Sequence, residues 1–176
     1  MLNWLNDAVF YEIYPTSFFD SNGDGIGDLN GITKKVDYVK SLGVDAVWIN
    51  PFYKSPFNDG GYDISNYYKI DPKFGKMKDL KKLVKAFKDK GIRVVFDLVI
   101  GHTSIDHIWF KKSSKKKRNK YSDYYVWSDK EYKGVPKLIC GNLTTTGFGY
   151  WHQPDRCQFA PVLSGPVRYL PTLFHS

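Results

Sequence analysis

The chain has 176 residues, enough for one domain with a real core, and carries a formal net charge of +8 with 17% aromatic residues. No apolar run is long enough to span a membrane, and the first residues lack a basic segment followed by an apolar one. Cys140 and Cys157 form no CxxC pair, so a reduced cytoplasmic protein without a secretory leader or membrane attachment is expected.

Residues 8–18, AVFYEIYPTSF, are aromatic and β-branched and predict a strand that closes near Pro15. An acidic, glycine-rich loop follows. Ile32, Val36, Val39 and Leu42 then recur at helical spacing, and Gly43 supplies the C-terminal stop. Residues 44–50, VDAVWIN, predict a second strand ended by Pro51. A long aromatic loop runs to about Lys76. Leu80, Leu83, Val84 and Phe87 mark a second helix, ended by Gly91. Residues 92–100, IRVVFDLVI, are nearly continuous apolar, as in a strand buried on both faces of a parallel sheet.

The order is βαβαβ, which fits a (β/α)8 barrel or a doubly wound sheet. Acidic and aromatic residues cluster after the C-terminal ends of all three strands, where barrel enzymes build their sites. No GxGxxG follows the first strand, which disfavours dinucleotide binding. The densest basic run is Lys111 to Lys120, KKSSKKKRNK. Most other lysines fall on polar helix sides, so a solvated face is expected and nucleic acid is not an expected partner. No lysine follows Lys137, and the ending lacks a clear helical period.

Three constellations carry chemistry. The first is DSNGDGIGD. Asp20, Asn22 and Asp24 occupy positions 1, 3 and 5 of a calcium-type loop, the Ile26 carbonyl position 7, and Asp28 position 9. Hard oxygen donors at alternating positions suit calcium, with magnesium as the alternative, and three close carboxylates call for a counter-charge. Gly31 stands where such loops place a bidentate Glu. The plain alternative is an Asn/Asp/Gly turn without metal. The second is Tyr62 and Asp63 in GGYDISNYYKID: a ring face for stacking and an acceptor for sugar hydroxyls, or else a solvated loop tip. The third is DLVIGHTS. Asp97 in an apolar strand needs a partner, and His102 follows the strand end.

Together these motifs, YEIYPTSFFDSNGDGIGDLNGI, VDAVWINPFYKSP with GYDISNYYKID, and FDLVIGHTS, closely resemble the α-amylase family, glycoside hydrolase family 13. The likeness runs over about residues 8 to 133 and is nearest the oligo-1,6-glucosidase and α-glucosidase branch. It implies an α/β fold: the N-terminal portion of a (β/α)8 barrel, about three β/α units, with the start of a loop domain inserted after the third strand. On that basis residues 1–101 are the first three strands and two helices, 102–137 the start of the inserted domain, and 138–176 an atypical tail. Tyr62 would stack on, and Asp63 hydrogen-bond, the glucose at the cleavage subsite. His102 would bind that sugar's hydroxyls, and Asp97 would orient an arginine near the nucleophile. Asp20, Asn22, Asp24, Ile26 and Asp28 would ligate a structural calcium. Gly101 replaces the Asn that ligates a different calcium in many amylases.

A retaining glycosidase needs two carboxylates about 5 Å apart. In this family they follow the fourth and fifth strands, and eight β/α units take about 250 residues. The nucleophile and acid/base are therefore expected to be missing, and Asp155 is the only carboxyl side chain after Lys137. The expected function is that of a truncated α-glucosidic hydrolase that binds oligosaccharide without cleaving it. A non-catalytic carbohydrate-binding or interaction module is the alternative. Self-association through an exposed barrel edge is expected.

Overall fold

The computed structural model describes residues 3–125, 127–128, 152–153 and 156–158. In chain order the strands and helices are β1 (Phe10–Ile13), α1 (Pro15–Phe18), α2 (Leu29–Lys34), α3 (Val36–Ser41), β2 (Ala46–Ile49), β3 (Tyr53–Lys54), β4 (Asn66–Ile70), α4 (Met77–Asp89), β5 (Arg93–Phe96), α5 (Ile108–Ser113), β6 (Trp127–Ser128), β7 (His152–Gln153) and β8 (Arg156–Gln158). They fall into two compact units, one of Met1–Phe52 with Lys69–Leu98, the other of Tyr53–Tyr68 with Val99–Ser176. The loop after β2 thus groups with the segment after β5, not with the strands that flank it in sequence.

The first unit is a parallel sheet in the order β1-β2-β5. Ile13, Ile49 and Phe96 share a row, as do Glu12, Trp48 and Val95. Parallel neighbours need crossovers, supplied by α2 with α3 and by α4. Ile32, Val36 and Val39 lie on one face of the first crossover, and Leu80, Leu83 and Phe87 on one face of α4; all are buried. Each such side chain contributes about 1.5–3 kcal/mol on leaving water. The Asp79 carboxylate accepts the Lys76 N–H at 2.8 Å and caps α4. Gly43 and Gly91 sit at φ 75° and 72°, the left-handed stop that their helix ends require.

Two expectations need correction. The predicted first strand ends at Ile13, because Pro15 begins a helical turn. The run 92–100 is not a strand buried on both faces: β5 has four residues, and Val95, Leu98 and Ile100 are 38%, 49% and 50% exposed. β5 is an edge strand of this sheet, paired only with β2 among the described residues.

In the second unit β3 and β4 pair. Ile64, Tyr67 and Val99 form a small core, with Tyr53, Tyr62 and Trp109 packed against it. His107 caps α5, its Nδ1 accepting the Trp109 N–H at 3.1 Å. β6, β8 and β7 form an antiparallel sheet in that order. Residues 129–137, much of the 138–176 tail and Asp155 lie outside the described residues. No described helix is long and apolar enough to cross a membrane.

Candidate functional site

Two loops of the second unit build the site. The backbone N–H of Ser104 donates to the Ile64 carbonyl at 3.0 Å, fastening the His102 segment to the Tyr62–Asp63 loop. Tyr62 is half-buried against the small core. Asp63 is 3% exposed. Its Oδ1 accepts from Ser55 Oγ at 2.7 Å and the Asp59 N–H at 3.3 Å, and its Oδ2 from the Asn58 N–H at 3.0 Å. A carboxylate so enclosed organises its own loop.

The carboxylate at the site's surface is Asp59. Its Oδ2 lies 3.8 Å from His102 Nε2, with the two side chains 36% and 22% exposed. That is ion-pair range but beyond a hydrogen bond, and Nε2 is shielded from solvent without a hydrogen-bond partner. Partial burial raises the Asp59 carboxyl above its ordinary value, with His102 opposing and Asp63 adding to the rise. Asp59 thus connects Asp63 to His102, which the fold brings together across about forty residues of sequence. Sequence analysis did not single out Asp59; its position before Gly60 and Gly61, which adopt φ 58° and 103°, was the available signal.

Asp97 lies in the first unit, half-buried just past β5, its N–H donating to the Ile49 carbonyl at 3.2 Å. That bond continues the sheet ladder by one residue and places the carboxylate at the strand's C-terminal end.

The acidic loop folds onto its own backbone. Asp20 accepts from the N–H groups of Asn22, Gly23 and Gly25 at 3.0, 2.7 and 2.8 Å. Those bonds, Gly25's foremost, hold its carboxyl below the usual range. Asn22 Oδ1 accepts the Asp24 N–H at 2.9 Å, and Asp24 Oδ1 the Ile26 N–H at 2.8 Å. Asp28 is buried and caps α2, accepting from the Gly31 N–H at 2.7 Å and from Ser21. Each carboxylate oxygen has two lone pairs, so Asp20, Asn22 and Asp24 keep acceptor capacity and the donor chemistry suits a hard cation. Among the described residues no three His, Cys, Asp or Glu side chains converge to hold a metal. The absence of Glu at position 31 has a steric cause: a Cβ there would lie 1.8 Å from the Phe19 carbonyl oxygen.

A family model described as the alpha amylase catalytic domain matches residues 12–156. The chain belongs to the alpha-amylase family. It is 56% identical over 165 residues to an oligo-1,6-glucosidase of Parageobacillus thermoglucosidasius, covering 86% of this chain and 29% of that protein. It is 47% identical over 169 residues to an oligo-1,6-glucosidase of Heyndrickxia coagulans, covering 88% and 30%. A crystal structure of a trehalulose synthase mutant with Tris superposes with a TM-score of 0.80 at 40% identity, over 93% of this chain and 31% of that one. An isomaltulose synthase mutant from Erwinia rhapontici in complex with D-glucose gives 0.76 at 43%, over 89% and 28%. The chain therefore spans about 30% of the length of these relatives. The three parallel strands with their crossovers are the N-terminal portion of a (β/α)8 barrel.

Proposed function

We propose that this chain forms the glucose-recognition part of a retaining glycoside hydrolase acting on α-glucosidic oligosaccharides. The observation that carries the proposal is the approach of Asp59 to His102 above a buried Asp63. A carboxylate accepts sugar hydroxyls, an imidazole both donates and accepts, and a tyrosine ring offers a flat apolar wall. Asp59 is exposed enough to swing outward and admit a hydroxyl to His102 Nε2, which lacks a hydrogen bond. Asp63 holds the loop beneath, and Asp97 orients a cationic partner at the strand end. Relatives named as oligo-1,6-glucosidases support the bond type, and the glucose complex of a similar structure supports the sugar.

The described residues recognise rather than cleave. Asp59 and Asp63 are neighbouring carboxylates, but Asp63 is enclosed and cannot flank a scissile bond as nucleophile or acid. The test is calorimetric titration with isomaltose, alongside turnover of p-nitrophenyl α-glucoside in the same sample. Binding lost in Asp59→Asn and His102→Ala, without turnover, is the expected result. Turnover of about one per second, in the ordinary enzyme range, would overturn the division into recognition and cleavage.

Calcium is proposed for the acidic loop, held by Asp20, Asn22, Asp24 and the Ile26 carbonyl with Asp28 at its base. It would lend charge neutralisation and stiffness to the exit of β1. Terbium luminescence should report one site that disappears in Asp24→Ala; no signal from folded protein at millimolar metal would refute it. A cytoplasmic setting and self-association through the exposed Val95 and Leu98 of the sheet edge are proposed likewise, the latter read by light scattering.

A further inference from the structure

The structure assigns Tyr67 to positioning His102, through a hydroxyl that holds the backbone of the His102 segment at two carbonyls. The assignment rests on the sugar-recognition reading of the site. The single Tyr67 Oη–H donates chiefly to the Val99 carbonyl at 2.6 Å and is shared with the His102 carbonyl at 3.1 Å. The two acceptors bracket Ile100 and Gly101, both exposed. Ile100 is 50% exposed, and a Cβ built on Gly101 would meet nothing within 4 Å. Ile100 and Gly101 thus have little packing of their own, and with Val99 anchored in the small core, the phenol helps set where His102 leaves the backbone. The ring is itself fixed: Tyr67 is 8% exposed, stacks on Trp109 at 6.0 Å, and meets Tyr53 at 6.0 Å and His107 at 5.6 Å.

Burial, with smaller effects from Tyr125 and Tyr53, holds the Tyr67 phenol above its ordinary value. The shift favours the protonated phenol, which is the donor form. Tyr67 is assigned as a positioning residue. It acts through His102, whose Nε2 must stay within a few ångströms of Asp59 for one hydroxyl to engage both.

The variant that isolates the hydroxyl is Tyr67→Phe, which keeps the ring. With near-ultraviolet dichroism unchanged and no sugar present, the His102 ring signals in carbon–proton spectra should shift and broaden. Isomaltose affinity should fall about five- to tenfold, the scale of one buried hydrogen bond. A role confined to stability would leave the ligand-free His102 signals in place. Coincident His102 signals in the two proteins would overturn the assignment. Should Tyr67→Phe fail to fold, 3,5-difluorotyrosine at position 67 removes the donor by titration: the His102 signals should move in step with ionisation of that phenol, and their failure to move would also overturn it. If the unaltered chain binds no isomaltose, the sugar reading fails, while the ligand-free spectra still decide the role of Tyr67.

Discussion

Asp63 and Asp59 are four residues apart on one loop, yet their replacement should have opposite signatures. Asp63 Oδ1 takes two donors and Oδ2 one, from Ser55 Oγ and the N–H groups of Asp59 and Asn58, in a buried setting. Hydrogen bonds to a charged acceptor contribute about 1.5–3 kcal/mol each, and a buried donor left without an acceptor costs about 1–3 kcal/mol. Asp63→Asn turns an NH2 toward at least one of these donors, so one bond is lost and two donors are opposed. A loss of about 2–4 kcal/mol is expected on those figures. Asp63→Ala removes all three acceptor contacts and should cost about 3–5 kcal/mol, as removal of one partner of a buried charged set does. Against a total stability of about 5–15 kcal/mol, that is a large fraction and should lower the urea midpoint markedly. Asp59→Asn should stay within about 0.5 kcal/mol in stability, as surface changes do, and lose sugar affinity instead. Urea titration followed by tryptophan fluorescence, with Trp109 packed on the affected core, measures the first effect and calorimetry the second. An Asp63→Ala protein as stable as the parent, or an Asp59→Asn protein that binds isomaltose normally, would refute the division of labour.

Two further outcomes concern Gly31 and His107. Gly31→Ala would drive a Cβ to 1.8 Å from the Phe19 carbonyl oxygen and should destabilise strongly, whereas Gly23→Ala, in open space at φ 84°, should cost only about 1 kcal/mol of backbone strain; thermal melts separate them. Burial pulls His107 down to about 4 from an ordinary 6.5, so the unfolded chain binds more protons between those values and stability is lost as pH falls from about 6.5 toward 4. The integrated loss is roughly 3 kcal/mol. His107→Asn, which can still accept the Trp109 N–H without titrating, should flatten the melting profile across that window; equal slopes in both proteins would count against it.

The strand and helix order was legible because its signals are periodic. Ile32, Val36 and Val39 announce a buried stripe, and Gly43 and Gly91 announce helix ends whatever surrounds them. The failures have physical causes. A continuous apolar run such as 92–100 shows that a strand can be covered, not that anything covers it, and the exposure of Val95 depends on neighbours elsewhere in the fold. The site was half legible. His102 and Tyr62 stood out by residue type, but the choice between Asp59 and Asp63 turns on which carboxylate the loop's own N–H groups claim. That depends on the curl of residues 55–63, where Phe57 adopts φ 60° and two glycines follow. No spacing rule exposes it. The missing Glu of the acidic loop is likewise explained by the Phe19 backbone and not by the loop itself.

The bond between Ser104 and Ile64 has a consequence during synthesis. The Tyr62 loop emerges about forty residues before the segment that fastens it. At roughly 5–20 residues per second it waits roughly 2–8 s on the ribosome. Throughout that interval Ile64 and Tyr67, which end buried, have only local partners. Meanwhile α4 and β5 are made in full and can dock on β2. The scaffold is therefore able to form first, and the Tyr62 and His102 loops to close last. A translational pause placed between codons 70 and 98 would lengthen the exposure of those apolar side chains without touching a single contact of the finished protein.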